Sequence, residues 1–329
     1  MSSLADRIKI ARAAQGYAGS DINLAIQSIL NCGRRAAGGC SGGSALAAYA
    51  YVHNAGGIPY DTCQQYRAVD GNCTDEGWCQ TCGGFGYCWA VTDEARKDPE
   101  QLGWVFGAYP KATIAQFGGL AGEGAMMTEI FLRGPISCGI AATGFLGYTG
   151  GIVQNHTDRA IDHIISVVGW GMEDGVPYWK IRNSWGEYWG ESGYVRVRRG
   201  ENQLAIEEDC TFAVPYTWDE YSTDKGGFAQ VEWDAGSVHA YAQKVVSAAA
   251  DKTASSGGTD GSGGGGRAAD PVAARLQATA STPHGLLGSA TTGSVALALV
   301  CVTVGVVIGA GGRRLFGGKA EYAHYLPVR

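Results

Sequence analysis

The sequence carries little charge, and none of it is concentrated in a basic stretch. Of its 329 residues 17% are charged, and 25 Lys and Arg side chains stand against 31 Asp and Glu side chains, for a net charge of −6. The acidic excess lies entirely in residues 1–218, since residues 219–329 hold nine charges of each sign. A chain without a basic face has no electrostatic basis for binding phosphate backbones. We therefore expect no nucleic-acid partner.

Two further patterns are missing. The 52 glycines follow no period, which excludes a collagen-like chain. Cys79 and Cys82 form a C-x-x-C motif, but no second pair and no histidine ligands follow at the spacing of a structural zinc site. We expect no metal and no cofactor. The hydrophobic fraction of 45% suffices for a sizeable core, and the length suits two domains or one large domain with appendages.

Cysteine, in contrast, is abundant. Ten cysteines lie at positions 32, 40, 63, 73, 79, 82, 88, 138, 210 and 301. The five within residues 63–88 are spaced as in small disulfide-closed loops. Asn72 and Asn155 begin N-x-[ST] sequons, which agree with a secretory compartment where disulfides persist. Nine cysteines precede residue 219, so an oxidising compartment would leave one of them without a partner.

The spacing of apolar residues divides residues 1–218 into a helical half and a strand half. Helices are predicted over 3–15, from Ser20 or Asp21 to Gly33, after Gly43, and over 123–133. Residues 161–168, 176–182 and 194–198 have the β-branched or alternating character of strands. Helices followed by antiparallel strands predict an α+β fold with two unlike lobes.

The composition changes again from about residue 219. Residues 251–283 are mostly Gly, Ser, Ala and Thr, so we expect a flexible tether over 219–293. Residues 294–312 are nineteen uncharged, mostly apolar residues, which as a helix would span roughly 28 Å. We expect a single transmembrane helix there; a buried core helix is the alternative, although one would not normally end a glycine-rich tether.

A short tail, residues 313–329, follows the apolar segment. Arg313 and Arg314 come directly after it, whereas the nearest basic residue upstream is Arg275. The positive-inside rule therefore places the tail in the cytosol and the globular part in the lumen or outside the cell. Tyr325, with an apolar residue at Val328, resembles an endosomal sorting signal. We expect a membrane protein of the secretory or endolysosomal pathway, or of the cell surface.

His163 and Asn183 are the candidates for chemistry. A lone histidine in an apolar strand is more often a core residue, but Asn183 ends a strand twenty residues later. If the two strands are neighbours, the Asn carbonyl can accept from one imidazole nitrogen and leave the other nitrogen for a nucleophile. The indole of Trp185 could shield that bond from water.

Several segments in order resemble the papain family of cysteine peptidases. They are residues 32–33, 40–43, 57–59, 134–140, 148–152, 162–163, 183–190, 204–208 and 210–212. The segments at 57–59, 134–140, 148–152, 204–208 and 210–212 point to one branch of the family, whose members are carboxypeptidases. The resemblance covers roughly residues 3–215 and implies a helical lobe and an antiparallel β-barrel lobe within residues 1–218, with a substrate cleft between them.

The resemblance also implies roles for single residues. His163 would be the general base and Asn183 its orienting partner, whereas Gly42, Gly43, Asp162 and Trp185 would contact the peptide or protein substrate. The family's disulfide pattern implies Cys32–Cys73, Cys63–Cys79, Cys82–Cys88 and Cys138–Cys210. Cys40 is left unpaired, and Cys301 falls in the apolar segment.

The family's nucleophilic cysteine, in a C-G-S-C-W segment, and its oxyanion glutamine have no counterpart in this sequence. Residues 3–8 resemble the middle of the helix that should carry the cysteine, and Cys40 would be the family partner of a cysteine in the same segment. We therefore expect an N-terminally truncated sequence that is inactive as written. The alternatives are a membrane-tethered pseudoenzyme that binds peptides without cleaving them and a disulfide-rich adhesion module.

Overall fold

A computed structural model describes residues 1–17, 19–83, 86–92, 109–222, 224 and 227–255. Its first part is mainly helical. The helices are α1 (Ser2–Ala14), α2 (Ile26–Ser28), a π-helical turn (Ile29–Gly33), α3 (Arg34–Ala37), α4 (Ala45–Asn54) and α5 (Asp75–Trp78). Short strands lie among them: β1 (Gly38–Gly39), β2 (Gly42–Gly43), β3 (Ile58–Pro59), β4 (Gln80–Cys82) and β5 (Cys88–Ala90).

The second part is built on a sheet. Its strands are β6 (Lys111–Leu120), β7 (Ile136–Ile140), β8 (Ile152–Val153), β9 (His163–Glu173), β10 (Val176–Arg182), β11 (Tyr194–Arg198), β12 (Cys210–Ser222) and β13 (Gly227–Glu232). The helices of this part are α6 (Glu123–Arg133) and α7 (Ala235–Ser255). The order β3-β6-β12-β7-β9-β10-β11-β8 is antiparallel except for the parallel pair β11–β8. The α+β expectation is confirmed.

Helix α1 forms where the sequence predicts it. Leu4, Ile8 and Ala11 are fully buried and fall on one face, as expected for residues spaced by three and four. They share a hydrophobic core with Trp218 and Val238 from the C-terminal end of the described region. The helix therefore has its apolar face covered by segments more than 200 residues away in sequence.

The second predicted helix has different bounds. It was expected to begin at Ser20 or Asp21 and to stop at Gly33, but α2 begins at Ile26. The Asp21 carboxylate accepts from Lys9 Nζ at 2.7 Å, so it forms a surface ion pair instead of a helix cap. Gly33 ends a π-helical turn that continues into α3, and the chain leaves the helix at Gly38, whose φ of +97° favours glycine.

Arg7 fastens α1 to the sheet. Its guanidinium is completely buried and donates to three backbone carbonyls, those of Gly134, Pro135 and Ala213, at 2.7–3.0 Å. It also pairs with the buried carboxylate of Glu129 at 2.9 Å. A buried charge persists only when paired and hydrogen-bonded, and Arg7 meets both conditions.

All four expected disulfides are present. They are Cys32–Cys73, Cys63–Cys79, Cys82–Cys88 and Cys138–Cys210. Within the described part of the chain, Cys40 is the one cysteine outside a disulfide. Cys79 and Cys82 are thus in disulfides with other partners, which leaves the C-x-x-C motif no thiolates for zinc.

The expected tether does not begin at residue 219. Strand β12 runs on to Ser222, pairs with β13 from Thr217 to Ser222, and is followed by α7. Half-buried and exposed residues alternate along most of β13, and the buried Val231 of β13 and Val238 of α7 supply apolar surface for folding. The Gly-rich composition that suggested a tether starts only after α7, so its extension back to residue 219 was wrong.

A pair of substitutions on α7 tests this folded extension. Val238 is 2% exposed, so Val238→Ala should lower the free energy of unfolding by about 1–2 kcal/mol. Val245→Ala on the same helix is the matched control, because Val245 is 52% exposed and should change stability by less than about 0.5 kcal/mol. Urea unfolding measures both, and equal effects would mean that α7 does not pack on the core.

None of the helices in the described ranges combines the length and the apolarity needed to cross a membrane. The remaining expectations for the C-terminal region fall on residues 256–329. The rest of the tether, the apolar segment 294–312, the tail 313–329, Cys301 and Tyr325 all lie outside the described residues.

Candidate active site

Strand pairing brings His163 and Asn183 to one edge of the sheet. His163 is the first residue of β9, and Asn183 directly follows the last residue of β10. The two strands are antiparallel, with Arg182 opposite Ser166, so the start of β9 lies beside the end of β10. The predicted juxtaposition of the two side chains is therefore present.

The contact between them is a single, well-defined hydrogen bond. His163 Nε2 lies 2.9 Å from Asn183 Oδ1, and the backbone N–H of Ser184 donates to the same oxygen at 2.8 Å. An amide oxygen is an acceptor, so Nε2 must carry the proton in this bond. The other ring nitrogen, Nδ1, is then left with its lone pair. This is the arrangement in which an imidazole can take a proton from a nucleophile.

Aromatic rings cover this hydrogen bond. The Trp185 ring lies over His163 with 5.1 Å between centroids and a tilt of 30°. Phe145 and Trp189 pack on Trp185 at 5.6 and 5.0 Å. Such a layer keeps water away from the bond and strengthens it. The shielding expected of Trp185 is thus present, and it extends to Trp189 and to Phe145, which the sequence did not point to.

Asp162 anchors the neighbouring turn. Its Oδ1 accepts from the backbone N–H of Ala142 at 2.7 Å, at the start of the 3-10 turn Ala142–Phe145. That turn carries Phe145 under Trp185. Asp162 also lines the groove described below, so its expected contact with substrate stays a prediction beside this structural role.

Burial lowers the pKa of His163 below its usual value of 6.5, and the hydrogen bond that His163 donates to Asn183 and the charge of Asp162 oppose that shift only in part. The folded chain therefore favours neutral imidazole. The unfolded chain binds the proton more tightly, so this residue lowers the stability of the folded state as the pH falls below about 6.5. Above that pH it carries no penalty.

A groove opens beside His163. It has a volume of about 470 Å³ and lies between the sheet edge and the helical part. Its walls include His163, Asp162 and Ser184 on one side and the β1–β2 hairpin on the other. Met1 lines it as well, so the N-terminal end of α1 lies at the groove. A cavity of this size and shape suits an extended ligand.

Gly42 and Gly43 lie in the wall of the groove, as expected for residues that line bound substrate. The structure also gives a local reason for glycine. They pair with Gly39 and Gly38 in a tight hairpin, where a Cβ on Gly43 would lie 2.2 Å from the carbonyl oxygen of Ala37. Their role as a substrate surface remains a prediction, because the hairpin by itself requires at least Gly43.

Cys40 sits at the tip of that hairpin and lines the groove. Its backbone N–H donates to Asp70 Oδ1 at 3.0 Å. Burial raises the pKa of the Cys40 thiol, and the hydrogen bond and charge of Asp70 raise it further. A thiol held in its protonated form is a poor nucleophile.

The two sequons are on the surface. Asn72 and Asn155 are both exposed, which glycosylation requires. Thr74 caps α5 by accepting from the backbone N–H of Gly77 at 3.0 Å. Glycan attachment at either position stays a prediction.

Sequence reasoning missed several residues around the groove. Phe145, which packs on Trp185, Asp70, which accepts from the Cys40 N–H, and Tyr49, whose hydroxyl bonds to Ser137, carry no sequence motif. Asn183 Nδ2 is buried and has no hydrogen-bond partner among the described residues. Trp189, four residues after Trp185 in a loop, was the one signal that could have predicted a stacked cluster.

Comparison with known proteins gives a family match. The family model for "Papain family cysteine protease" matches residues 1–214. The chain is 40% identical over 224 residues to a "Cathepsin Z" of Onchocerca volvulus, covering 65% of this chain and 66% of that protein. It is 28% identical over 193 residues to a "Cysteine proteinase" of Trypanosoma brucei brucei, covering 59% of this chain and 37% of that protein.

Among solved structures, a digestive procathepsin L2 proteinase from the larval midgut of Tenebrio molitor is 26% identical, with a TM-score of 0.49, over 65% of this chain and 59% of that one. The chain spans less than two thirds of the length of the relatives it matches. The second half of β12, β13 and α7 lie beyond the family match, which ends at residue 214.

Proposed function

Because the chain belongs to the papain family of cysteine proteases, we propose that its groove is built to cleave peptide bonds in the manner of the cathepsin Z branch. The observation that carries the proposal is the bond from His163 Nε2 to Asn183 Oδ1, at 2.9 Å, beside an open groove. The similarity to a cathepsin Z over 65% of the chain supports the choice of branch.

The reaction would be acyl transfer through a thioester. His163 Nδ1 takes the proton of a cysteine thiol, and the thiolate attacks the scissile carbonyl carbon. The imidazolium returns its proton to the leaving amine as the C–N bond breaks, which leaves an acyl-enzyme. His163 then takes a proton from water, whose oxygen displaces the thiolate and releases the acid. Asn183 keeps the ring in one orientation through both steps.

The nucleophile would be a thiol at the N-terminal end of α1. Met1 and His163 line the same groove, so a cysteine joined to that end of the helix would be near it. Such a cysteine would stand at the start of α1, where the helix dipole favours the thiolate. Cys40 is a poor substitute because its pKa is raised. We therefore propose that residues 1–329 alone bind peptides without hydrolysing them.

The cathepsin Z branch would make the active form a carboxypeptidase that removes single residues. This specificity rests on the resemblance of the segments at 134–140 and 204–212 and on the relative from Onchocerca volvulus. The alternative function is a peptide-binding pseudoenzyme. It is favoured by the open groove and by the disulfides, which leave Cys40, with its raised pKa, as the one thiol in the described part of the chain.

A peptidase assay separates the two functions. The 329-residue chain should not cleave a fluorogenic peptide. The same chain, extended ahead of Met1 by the segment of a papain-family relative that carries the glutamine and the C-G-S-C-W motif, should cleave it and lose activity on thiol alkylation. A folded, extended chain without thiol-dependent activity would refute the peptidase function and leave the pseudoenzyme.

We also propose that residues 294–312 anchor the chain in a membrane with the peptidase domain in the lumen or outside the cell. Four disulfides support an oxidising compartment for that domain. Arg313 and Arg314 support a cytosolic tail, in which Tyr325 would meet the sorting machinery. Carbonate extraction of expressing cells should leave the chain in the membrane pellet, and its release would contradict the anchor.

A further inference from the structure

A second cavity of about 470 Å³ lies outside the groove. In the described part of the chain the two spaces share no lining residue. The lining of the second cavity comes from Arg12 at the end of α1, from the loop after that helix, and from residues 60–62, 219–221 and 228. The last four of these residues belong to β12 and β13, beyond residue 214, where the family match ends. The cavity is therefore formed in part by a segment that the family pattern does not cover.

Aromatic rings form much of this lining. Tyr17, Tyr60, Tyr221 and Phe228 all contribute to it. Tyr17, Tyr221 and Phe228 are exposed, and the rings of Tyr221 and Phe228 meet edge to face with 6.1 Å between centroids. Large rings left open to solvent around a concave surface mark an interaction site. Because the face of an aromatic ring is electron-rich, such a site attracts cations.

The cavity is also acidic. Asp21, Asp61, Asp219 and Glu220 line it, and Arg12 is the one Lys or Arg among its described lining residues. The Arg12 guanidinium is already paired with Glu220 Oε1 at 2.5 Å. An excess of negative charge therefore remains to attract a cationic group.

Two of these carboxylates have oxygen atoms to offer. Among the described residues the Asp61 carboxylate has no hydrogen-bond or ion-pair partner, while the Asp61 backbone N–H donates to Asn23 O at 2.9 Å and holds the residue in place. Asp219 accepts from the Lys111 N–H through Oδ2 at 2.9 Å, which leaves its Oδ1 open. Both residues can accept from a bound donor without giving up a bond that the fold uses.

The ion pair in the cavity wall is itself incomplete. The side chains of Arg12 and Glu220 are only 5% and 11% accessible. Arg12 Nε and Glu220 Oε2 are nevertheless without a hydrogen-bond partner in the described ranges. Buried polar atoms are normally hydrogen-bonded, so this donor and this acceptor indicate a ligand that both accepts and donates. A polypeptide with a cationic side chain has both kinds of group.

We propose that this second cavity binds an arginine side chain of another polypeptide, at a site separate from the groove. The planar guanidinium would stack on the face of Tyr221 or Phe228 and donate its forked N–H groups to Asp61. A lysine ammonium is a compact point charge that cannot stack in this way, so arginine is the preferred residue. The proposal does not depend on whether the groove cleaves peptides.

Fluorescence anisotropy with two labelled peptides tests the site. Each peptide is a short run of glycines with either arginine or citrulline in the middle, since citrulline has nearly the same shape but no charge. The 329-residue chain should bind the arginine peptide about tenfold more tightly at low salt, and the preference should shrink as ionic strength rises. Asp61→Asn should remove most of the preference. Tyr221→Ala should weaken binding of the arginine peptide about threefold through the lost ring face.

Two variants outside the cavity are the matched controls. Tyr216 lies on the same strand as Tyr221, is 53% exposed against 63%, and lines neither space, so Tyr216→Ala should keep wild-type affinity. Glu232→Gln removes the same charge as Asp61→Asn from an exposed position outside both linings and should keep the preference. Equal binding of the two peptides by the wild-type chain, or a preference that survives Asp61→Asn, would overturn the proposal. Loss of the preference in Glu232→Gln would overturn it as well, because net charge alone would then attract the peptide.

Discussion

Replacing His163 by alanine should lower the kcat/KM of a thiol-complete form of this chain by about 10³-fold or more. The reason is that His163 is the one imidazole among the described residues that line the groove. Its bond to Asn183 leaves Nδ1 open to accept the thiol proton and return it to the leaving amine. General acid and base catalysis typically contributes 10²- to 10⁴-fold, and activation of the nucleophile adds to it. Hydrolysis of a fluorogenic peptide measures the change.

Two companion variants make the result interpretable. Asn183→Ala should act mainly by lowering kcat, with a smaller change in KM. It should leave more activity than His163→Ala, because the imidazole loses its fixed orientation but is still present as the base. His239→Ala, on helix α7 and outside the groove lining, should retain wild-type kcat/KM. Unchanged turnover in His163→Ala would rule out the catalytic assignment.

Replacing Arg7 by methionine should lower the free energy of unfolding by about 3–5 kcal/mol. The substitution leaves three backbone carbonyls without their donor and removes one of the two cations, Arg7 and Arg133, that pair with the buried Glu129. Removing one partner of a buried ion pair costs about this much, because the buried carboxylate loses part of its compensation. Urea unfolding should show a lower midpoint with an unchanged slope.

Lys9→Met on the same helix provides the control. Lys9 and Asp21 form an exposed pair, with side chains 60% and 61% accessible, so its loss should cost less than about 1 kcal/mol. The double variant Arg7→Met with Glu129→Leu should recover part of the stability, since it leaves no buried charge. A loss of similar size in Arg7→Met and Lys9→Met would contradict the role of Arg7.

The sequence predicts the reacting pair better than its surroundings. His163 and Asn183 could be found because each terminates a recognisable strand, and antiparallel pairing brings such ends together. Phe145 and Asp70 could not be found, because their roles depend on tertiary packing between segments 30 or more residues apart. The disulfide partners were predicted only through the family resemblance, since spacing alone leaves many pairings open.

The errors in element bounds also have physical causes. Asp21 satisfies the local rule for a helix cap, yet the ion pair with Lys9 takes its carboxylate. The predicted tether began too early in the sequence, because composition averages over many residues. Few apolar side chains of this region are buried, but Val231 and Val238 both belong to the core that includes Leu4 and Trp218. A small number of well-placed apolar side chains is enough to order a segment when a core is available to receive them.

The central claim is that Asn183 holds neutral His163 with its proton on Nε2 and its Nδ1 lone pair free. Nitrogen-15 NMR of the histidine rings in the 329-residue chain tests this most directly, because the two ring nitrogens have distinct shifts in each tautomer. We predict a protonated Nε2, a bare Nδ1 and a pKa below 6.5 for His163. A proton resident on Nδ1 at neutral pH, or a pKa above 6.5, would contradict the account.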